Sequence, residues 1–252
     1  MATDNRDGWN AIADAYQRER GWPHESLYWG IRCPPETELA VLDPVAGKDV
    51  LVLGCGGGQD CVALCGMGAG RVIGIDASER QLAHARVRCQ PLGPRVTLKP
   101  GDVQHLDEPP ASYDLAVSVH VLSYVADVPA CLRGVWRCLR PGGQLALSVH
   151  HPLDAITRDE PPYGFSQTYF QVETRWAWGS LGGADAPFTS YHRPVSDWFR
   201  LLRAAGFTVE NMLEPAPVEL PIWRDSGWSG GPYYDKLATV PGTLILAARK
   251  PR

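Results

Sequence analysis

Between residues 49 and 149, short apolar runs alternate with stretches of helical periodicity, and no other feature constrains the fold of this 252-residue chain so tightly. Asp49-Val-Leu-Val-Leu53 is a continuous apolar run, as expected of a strand covered on both faces of a parallel sheet. Runs at 71–75, 95–99, 113–119 and 144–149 read as strands two to five. Between them, Cys61, Leu64, Cys65 and Gly68 share one helical face, and residues 78–89 form a second helix. Cys131, Leu132, Val135, Cys138 and Leu139 make the buried stripe of a third, which stops at Pro141-Gly142-Gly143. Strands alternating with helices are the signature of βα units and of a doubly wound α/β sheet. Later, Trp198, Leu201, Leu202 and Ala205 face one way on a helix capped by Ser196 and ended by Gly206, and 207–213 and 243–248 read as two closing strands. The stretch from 150 to about 193 breaks the alternation: it is rich in Pro, Gly and aromatics and too long for an ordinary connection, which marks a lid or substrate-shaping insert.

With 44% hydrophobic and 21% charged residues the chain can bury one large core without disulfide staples. Its 24 basic and 28 acidic side chains give a net charge of −4 with no run of five like charges, so no basic footprint for nucleic acid is present. The N-terminus lacks the apolar core of a signal peptide and no stretch approaches the ~18 apolar residues of a membrane span, so a cytoplasmic protein without a membrane partner is expected. Seven cysteines, odd in number and without a CxxC pair, argue against a disulfide framework and against a structural metal. They read as reduced, buried small hydrophobes, Cys61 and Cys65 as helix packing.

Leu53-Gly54-Cys55-Gly56-Gly57-Gly58 joins strand one to helix one, where glycines let backbone amides approach a ligand and the helix start favours negative charge. The Gly-x-Gly-x-Gly spacing is tighter than that of dinucleotide sites, and Gln59 stands where those need their third glycine. A carboxylate tail suits such a turn better than a pyrophosphate. Asp76, ending strand two, is placed to accept hydrogen bonds from ribose hydroxyls. Both ends of an adenosine-like ligand then have partners. Taken singly, the glycines could be only a tight turn and Asp76 only a helix cap; their order and spacing relative to Gly101-Asp102-Val103, Tyr113-Asp114 and Leu139-Arg140-Pro141-Gly142-Gly143 carry the argument further.

This pattern resembles the class I S-adenosylmethionine-dependent methyltransferases, in the small-molecule branch similar to ubiquinone and menaquinone biosynthesis enzymes, over about residues 9–149. The resemblance implies a Rossmann-like, seven-stranded, mostly parallel sheet with an antiparallel last strand. It implies S-adenosylmethionine as cofactor and S-adenosylhomocysteine as product. By the same resemblance Gly54, Cys55, Gly56, Gly58 and Gln59 hold the methionine part and Asp76 the ribose. Ala77 and Gln81 surround the adenosine, Asp102 meets the adenine amino group with Val103 beside the ring, and His120 lies near the methionine. Tyr16, on an N-terminal helix that in relatives closes over the cofactor, could cap it. The chain then divides into a helical cap and lid (1–45), a cofactor-binding half (46–149), the insert (150–193) and a closing helix and strands (194–252) of a single domain. Two departures stand out: Val52 occupies the strand-one position where the family usually carries an acid, and no Asn/Asp-Pro-Pro-Tyr follows strand four, Glu160-Pro-Pro-Tyr163 lying instead in the insert.

A sulfonium methyl is already an activated electrophile, so the protein's tasks are to align the reactants and exclude water. Where the nucleophile needs proton removal, His120, His150, His151 and His192 are the candidate bases; His150 and His151 follow strand five at the ligand-binding edge of the sheet, and Tyr28 is a further catalytic candidate. Rings outside the sheet, Trp22, Trp29, Trp176, Trp178 and Trp223 among them, could wall an apolar pocket and favour a cation. Trp9, Ile12, Ala13 and Tyr16 repeat at helical spacing, which reads as packing for Trp9. The expected acceptor is an apolar, aromatic small molecule of indole, phenol or polyketide-like type, because Arg158, Arg175 and Arg193 are too dispersed to grip an acidic one. The methylated atom, and the choice between monomer and homodimer, are not written in the sequence. The competing readings are a non-catalytic adenosine-binding module and a nicotinamide-dependent reductase, the latter disfavoured by Gln59 and by the lack of a Tyr/Lys pair among only four lysines.

Overall fold

The computed structural model describes residues 5–178, 181 and 186–252. Helix α1 (Asn5–Glu19) and a single turn, α2 (Glu36–Leu39), precede the sheet. Then β1 (Asp49–Leu53), α3 (Gln59–Gly66), β2 (Arg71–Asp76), α4 (Glu79–Cys89), β3 (Val96–Pro100), β4 (Tyr113–Val119), α5 (Val128–Cys138) and β5 (Leu139–His150) alternate. The insert follows as α6 (Pro152–Ile156) and the strands β6 (Glu173–Ala177) and β7 (Pro187–Tyr191), which pair with each other as a separate hairpin. The chain closes with α7 (Val195–Ala204), β8 (Thr208–Leu213), α8 (Pro221–Arg224), α9 (Pro232–Lys236) and β9 (Thr243–Arg249).

The seven strands run in the order β3-β2-β1-β4-β5-β9-β8, with β9 antiparallel to both neighbours and the first five mutually parallel. This is the expected sheet. Consecutive β1 residues feed opposite layers, Leu51 and Leu53 into a core with Leu132, Val135, Trp198 and Leu202, and Val50 and Val52 into one with Leu64, Leu82 and Trp29. With both faces covered, polar chemistry is confined to the sheet's edges, and the order reverses between β1 and β4, whose carboxyl ends open the crevice of a doubly wound fold.

Two boundaries differ from the sequence reading. Strand β5 starts at Leu139 and carries Pro141-Gly142-Gly143 inside it, because the register slips between Tyr113 and Leu115 and the extra residues are accommodated there. Helix α7 begins directly after Pro194, so Ser196 is not its cap.

Helix α1 lies across the crevice. Gly8, Ile12, Ala13 and Ala15 are its buried face, and a β-carbon on Gly8 would stand 2.9 Å from the Phe188 ring. Phe188, fully buried on β7, stacks on Trp176 at 5.3 Å and meets Trp9 edge-on at 5.1 Å, joining lid and insert. Polar contacts finish the docking: Asn5 exchanges hydrogen bonds with the Thr189 backbone at 2.8 Å each, and Asn10 accepts from Ser78 Oγ at 2.8 Å. Asp14 pairs with Arg80 and with His84 at the start and middle of α4. No helix among the described residues is long and apolar enough to cross a membrane.

Phe188→Ala should therefore cost about 3–5 kcal/mol in urea denaturation, the usual range for emptying a buried aromatic site. A change under about 1 kcal/mol would mean that lid and insert are not packed through this ring.

Candidate active site

At the carboxyl edge of β1, β2 and β4 lies one cavity of about 1170 Å³, larger than the roughly 300–1,000 Å³ that a single drug-sized ligand occupies. Its floor is the turn after β1. Gly54, Gly56 and Gly58 have φ of +65°, +51° and +86°, a left-handed backbone that side chains resist. A β-carbon on Gly54 would lie 2.3 Å from Val121, whereas one on Gly56 meets nothing within 4 Å, so the turn is closed on one side and open to the cavity on the other. Asp76 fixes its height by accepting from Gly56 N at 2.7 Å and from Ser78 N at 2.8 Å. Burial raises the Asp76 carboxyl and the two amides oppose that.

Along the wall run Ala77, Gln81, Asp102 and Val103, with Asp102 capping a 3-10 turn through Gln104 N at 2.9 Å. Gln17 of α1 bridges the floor and this wall, donating to Gln81 at 2.8 Å and accepting from Gln59 at 2.8 Å. Asp60, the second residue of α3, also lines the cavity. Its carboxyl has no hydrogen-bond or ion-pair partner among the described residues, and burial pushes it up to about 7.

The far end is aromatic. Tyr16 meets Trp9, Trp178 and Trp228 edge-on at 5.3, 5.7 and 6.2 Å, and accepts from Trp22 Nε1 at 2.9 Å. Burial pushes its hydroxyl up to about 12. Here His120 and His150 stand with ring centres 4.4 Å apart. His120 has φ +56° and a buried Nδ1 without a partner; burial, then the neighbouring His150, hold it well below the ordinary histidine value. His150 Nδ1 lies 3.8 Å from Asp154 Oδ2, while Lys236 grips Asp154 Oδ1 and Asp159 Oδ1 at 2.7 Å each. Burial pulls Lys236 down, but the two carboxylates outweigh it and keep the ammonium charged. His192 also lines the wall, with burial lowering it.

Of the residues singled out from sequence, Tyr16, Gly54, Cys55, Gly56, Gln59, Asp76, Ala77, Gln81, Asp102, Val103, His120, His150, Trp22, Trp176 and Trp178 line this one cavity. Five do not, and each is a correction. Gly58 turns away as the N-cap of α3, where a β-carbon would meet Cys89 and Ala85 at 3.0 and 3.1 Å. His151 is tied by Nε2 to Glu214 at 2.8 Å and by Nδ1 to Leu153 N at 3.0 Å, a cap for α6. Trp29 is fully buried under the sheet and donates to Glu36 at 2.6 Å. Trp223 is equally buried, donating to the Cys33 carbonyl at 3.1 Å, and Tyr28 packs behind it at 5.1 Å. Sequence reading missed Asp60, Gln17, Tyr124, Asp154 and Lys236. Acids are ordinary at helix starts, and Lys236 meets Asp154 only through the tertiary fold.

A family of methyltransferase domains matches residues 50–143. The chain is 30% identical to an S-adenosylmethionine-dependent methyltransferase of Mesorhizobium loti, over 84% of this chain and 95% of that one, with a TM-score of 0.66. A Listeria monocytogenes protein assigned to the same class is 25% identical, with 86% and 96% covered and a TM-score of 0.70. A ubiquinone biosynthesis O-methyltransferase of Ruegeria pomeroyi is 29% identical over 77% of this chain and 71% of its own length. Several other curated relatives, 31–38% identical, are matched over only 38–59% of their own length.

The position of Asp60 has a measurable cost. In the unfolded chain its carboxyl ionises near pH 4, in the fold near 7, so ionisation is penalised in the folded state and stability contributed by the protonated form drains away as pH rises between those values. Asp60→Asn should melt higher than the donor-free wild type near pH 8, and the gap should close towards about pH 4. A gap independent of pH would show that the carboxyl is not shielded as described.

Proposed function

We propose, from the premise that this chain belongs to the S-adenosylmethionine-dependent methyltransferases, that it methylates an apolar aromatic small molecule of indole, phenol or polyketide-like type, in the cytoplasm and within specialised metabolism. The observation that carries this reading is the continuity of one cavity from the glycine turn, past His120 and His150, to Tyr16, Trp178 and Trp228. A donor site and an acceptor site must share such a space if the nucleophile is to reach a methyl group in line.

The residues of the floor fit the donor. The Gly54–Gly56 backbone offers room at the one position where a β-carbon would meet nothing, Asp76 has its acceptor oxygens at ribose height, and Asp102 and Val103 flank the place of an adenine ring. S-adenosylmethionine supplies a sulfonium methyl, an electrophile that needs no enzyme-bound intermediate. Everything else is done by the chain. Tyr16, Trp9, Trp178 and Trp228 exclude water and present ring faces and edges to the acceptor and the cation.

We assign the proton-accepting role to His150. Lys236 holds one oxygen of Asp154 and the Tyr233 hydroxyl donates to the other at 3.5 Å, so the carboxylate stands beside His150, 3.8 Å from its Nδ1, as a neighbouring negative charge while the imidazole accepts a proton from a hydroxyl, amine or ring carbon. His120, kept neutral by burial, walls the site instead.

Incubation with methyl-labelled donor and panels of indoles, phenols and polyketide-like aromatics, followed by NMR location of the label, tests the acceptor class. Label on acidic aliphatic acceptors alone would overturn it. Donor binding without turnover on any acceptor would favour a non-catalytic module. His150→Ala should lower turnover by about 10²–10⁴-fold, and His151→Ala should act only through stability; the reverse pattern would remove His150 from the role.

A further inference from the structure

One polar stretch of the cavity wall has no part in the reading above. Strands β6 and β7 pair with Thr174 opposite Ser190 and Trp176 opposite Phe188, and a bond from His192 N to the Val172 carbonyl at 2.8 Å carries the ladder one step further. Side chains alternate along a strand and cross-strand partners share a face, so these residues stand on one side of the hairpin, and Thr174, Trp176, Ser190 and His192 all line the cavity. The apolar half of that side is used in packing, with Trp176 stacked on Phe188. The polar half is not used up. Thr174 donates to Gln167 at 3.2 Å and keeps its oxygen free to accept, and Ser190 makes no side-chain hydrogen bond among the described residues. His192, only 8% exposed, has a buried Nε2 with no partner among them. An imidazole nitrogen shut away from water without a partner costs stability that simple packing does not demand, which points to a ligand that supplies the missing bond.

We propose that this side of the β6–β7 hairpin is a second subsite for the acceptor, in which Ser190 and His192 bind a neutral hydroxyl at the end of the molecule away from the methylated atom. The inference rests on the aromatic-acceptor reading of the cavity and narrows it. A hydroxyl both donates and accepts, so it can meet a serine hydroxyl and a neutral imidazole whichever ring nitrogen carries the proton. Burial lowers His192 from the ordinary histidine value, which keeps the ring neutral. A charged group fits less well. An ammonium would call for a carboxylate and a carboxylate for a cation, and this side of the hairpin carries neither; Arg193, next in the chain, is spent on the carbonyls of Tyr191, Val125 and Ala126. Position sets the length of the acceptor. The Tyr124 ring meets both His150 and Trp176 at 6.2 Å, which puts an aromatic ring between the proton-accepting end and the hairpin, and Thr174 lies about 7 Å along β6 from Trp176. An acceptor that touches both ends has more than one ring and an oxygen function on each side. Of the three acceptor types, that description suits a polyphenol or a polyketide-like aromatic and not a simple indole.

The test measures affinity by calorimetry on the enzyme saturated with S-adenosylhomocysteine, so that no methyl group is transferred. Two pairs of probes are compared: 1-naphthol with 1,6-dihydroxynaphthalene, and 7-hydroxyflavone with 4′,7-dihydroxyflavone. In at least one pair the wild type should bind the diol about 10–100-fold more tightly, the range expected when buried hydrogen-bonding groups are otherwise left unmet. Ser190→Ala and His192→Phe should each remove most of that preference by weakening the diol, and His192→Gln, which keeps a polar side chain, should retain part of it. A wild type without preference in either pair overturns the proposal. So does a preference that survives both substitutions, or a loss that falls on the single-hydroxyl probe as heavily as on the diol, the mark of a structural role. Should His192→Phe fail to fold, Ser190→Ala and the wild-type preference decide by the same criteria. A wild type that binds none of the four probes yet methylates another aromatic acceptor overturns this proposal alone, whereas one that methylates no aromatic acceptor overturns the underlying reading with it.

Discussion

One carboxylate sets the relative height of the two loops on which the site stands. Asp76 ends β2 and accepts backbone N–H groups from Gly56, after β1, and from Ser78, at the head of α4. Each βα turn leaves amides that its own helix cannot satisfy, and a single acid between the turns serves both. The glycines make this possible: Gly54 has no space for a side chain against Val121, and three left-handed φ values fold the chain back sharply enough to bring Gly56 N to the acid. Because the sheet beneath is buried on both faces, this edge is where backbone amides and carboxylates can face a ligand at all.

The lid is held differently. Helix α1 buries four small or aliphatic residues and docks mainly through side-chain hydrogen bonds and ion pairs at separate points: Asn5 on β7, Asn10 and Asp14 on α4, Gln17 over the turn. The Asp14 pairs are exposed, and pairs of that kind contribute only about 0–1 kcal/mol each; the partly buried neutral hydrogen bonds of Asn5, Asn10 and Gln17 contribute about 0.5–1.5 kcal/mol each. A helix secured by several small terms opens at a cost well below that of global unfolding, whereas the sheet core does not. That division suits a site whose floor must be exact and whose cover must let ligands in, with Phe188 and the Tyr16–Trp178 contact as large apolar anchors between cover and insert.

The sheet and the floor of the site were legible in the sequence because each depends on local or strictly periodic signals. Continuous apolar runs mark buried parallel strands, and the spacing from Gly54 to Asp76 to Asp102 follows directly from three consecutive βα turns. The acceptor end was legible only as composition. That many tryptophans lie outside the sheet could be seen, but Trp22, Trp176 and Trp178 reach the cavity while Trp29 and Trp223 sink into packing, and aromatic residues give the same signal for both fates. The pair His150 and His151 fails for a related reason. His150 ends β5 while His151 is already the cap of α6, and the bond from His151 to Glu214 that helps turn it from the cavity spans 63 residues. Asp154 and Lys236 come from the insert and from the segment between β8 and β9, which no local pattern connects.

That last pair explains why two imidazoles 4.4 Å apart are not equivalent. His120 is buried in a left-handed turn with an orphaned Nδ1, and its charged form is disfavoured first by burial and then by its neighbour. It has no carboxylate to accept from Nδ1. His150 has one 3.8 Å from its Nδ1, and that carboxylate cannot swing away, because Lys236 binds one oxygen and the Tyr233 hydroxyl donates to the other, Lys236 also donating to the carbonyls of Asp154 and Thr157. A buried ammonium with two acids and two carbonyls is a costly arrangement to assemble merely for stability, since ion pairs in such places seldom outdo an apolar filling of the same volume. What it achieves that leucine could not is direction. It fixes a negative charge 3.8 Å from His150 and gives His120 none, which is the asymmetry between the two rings.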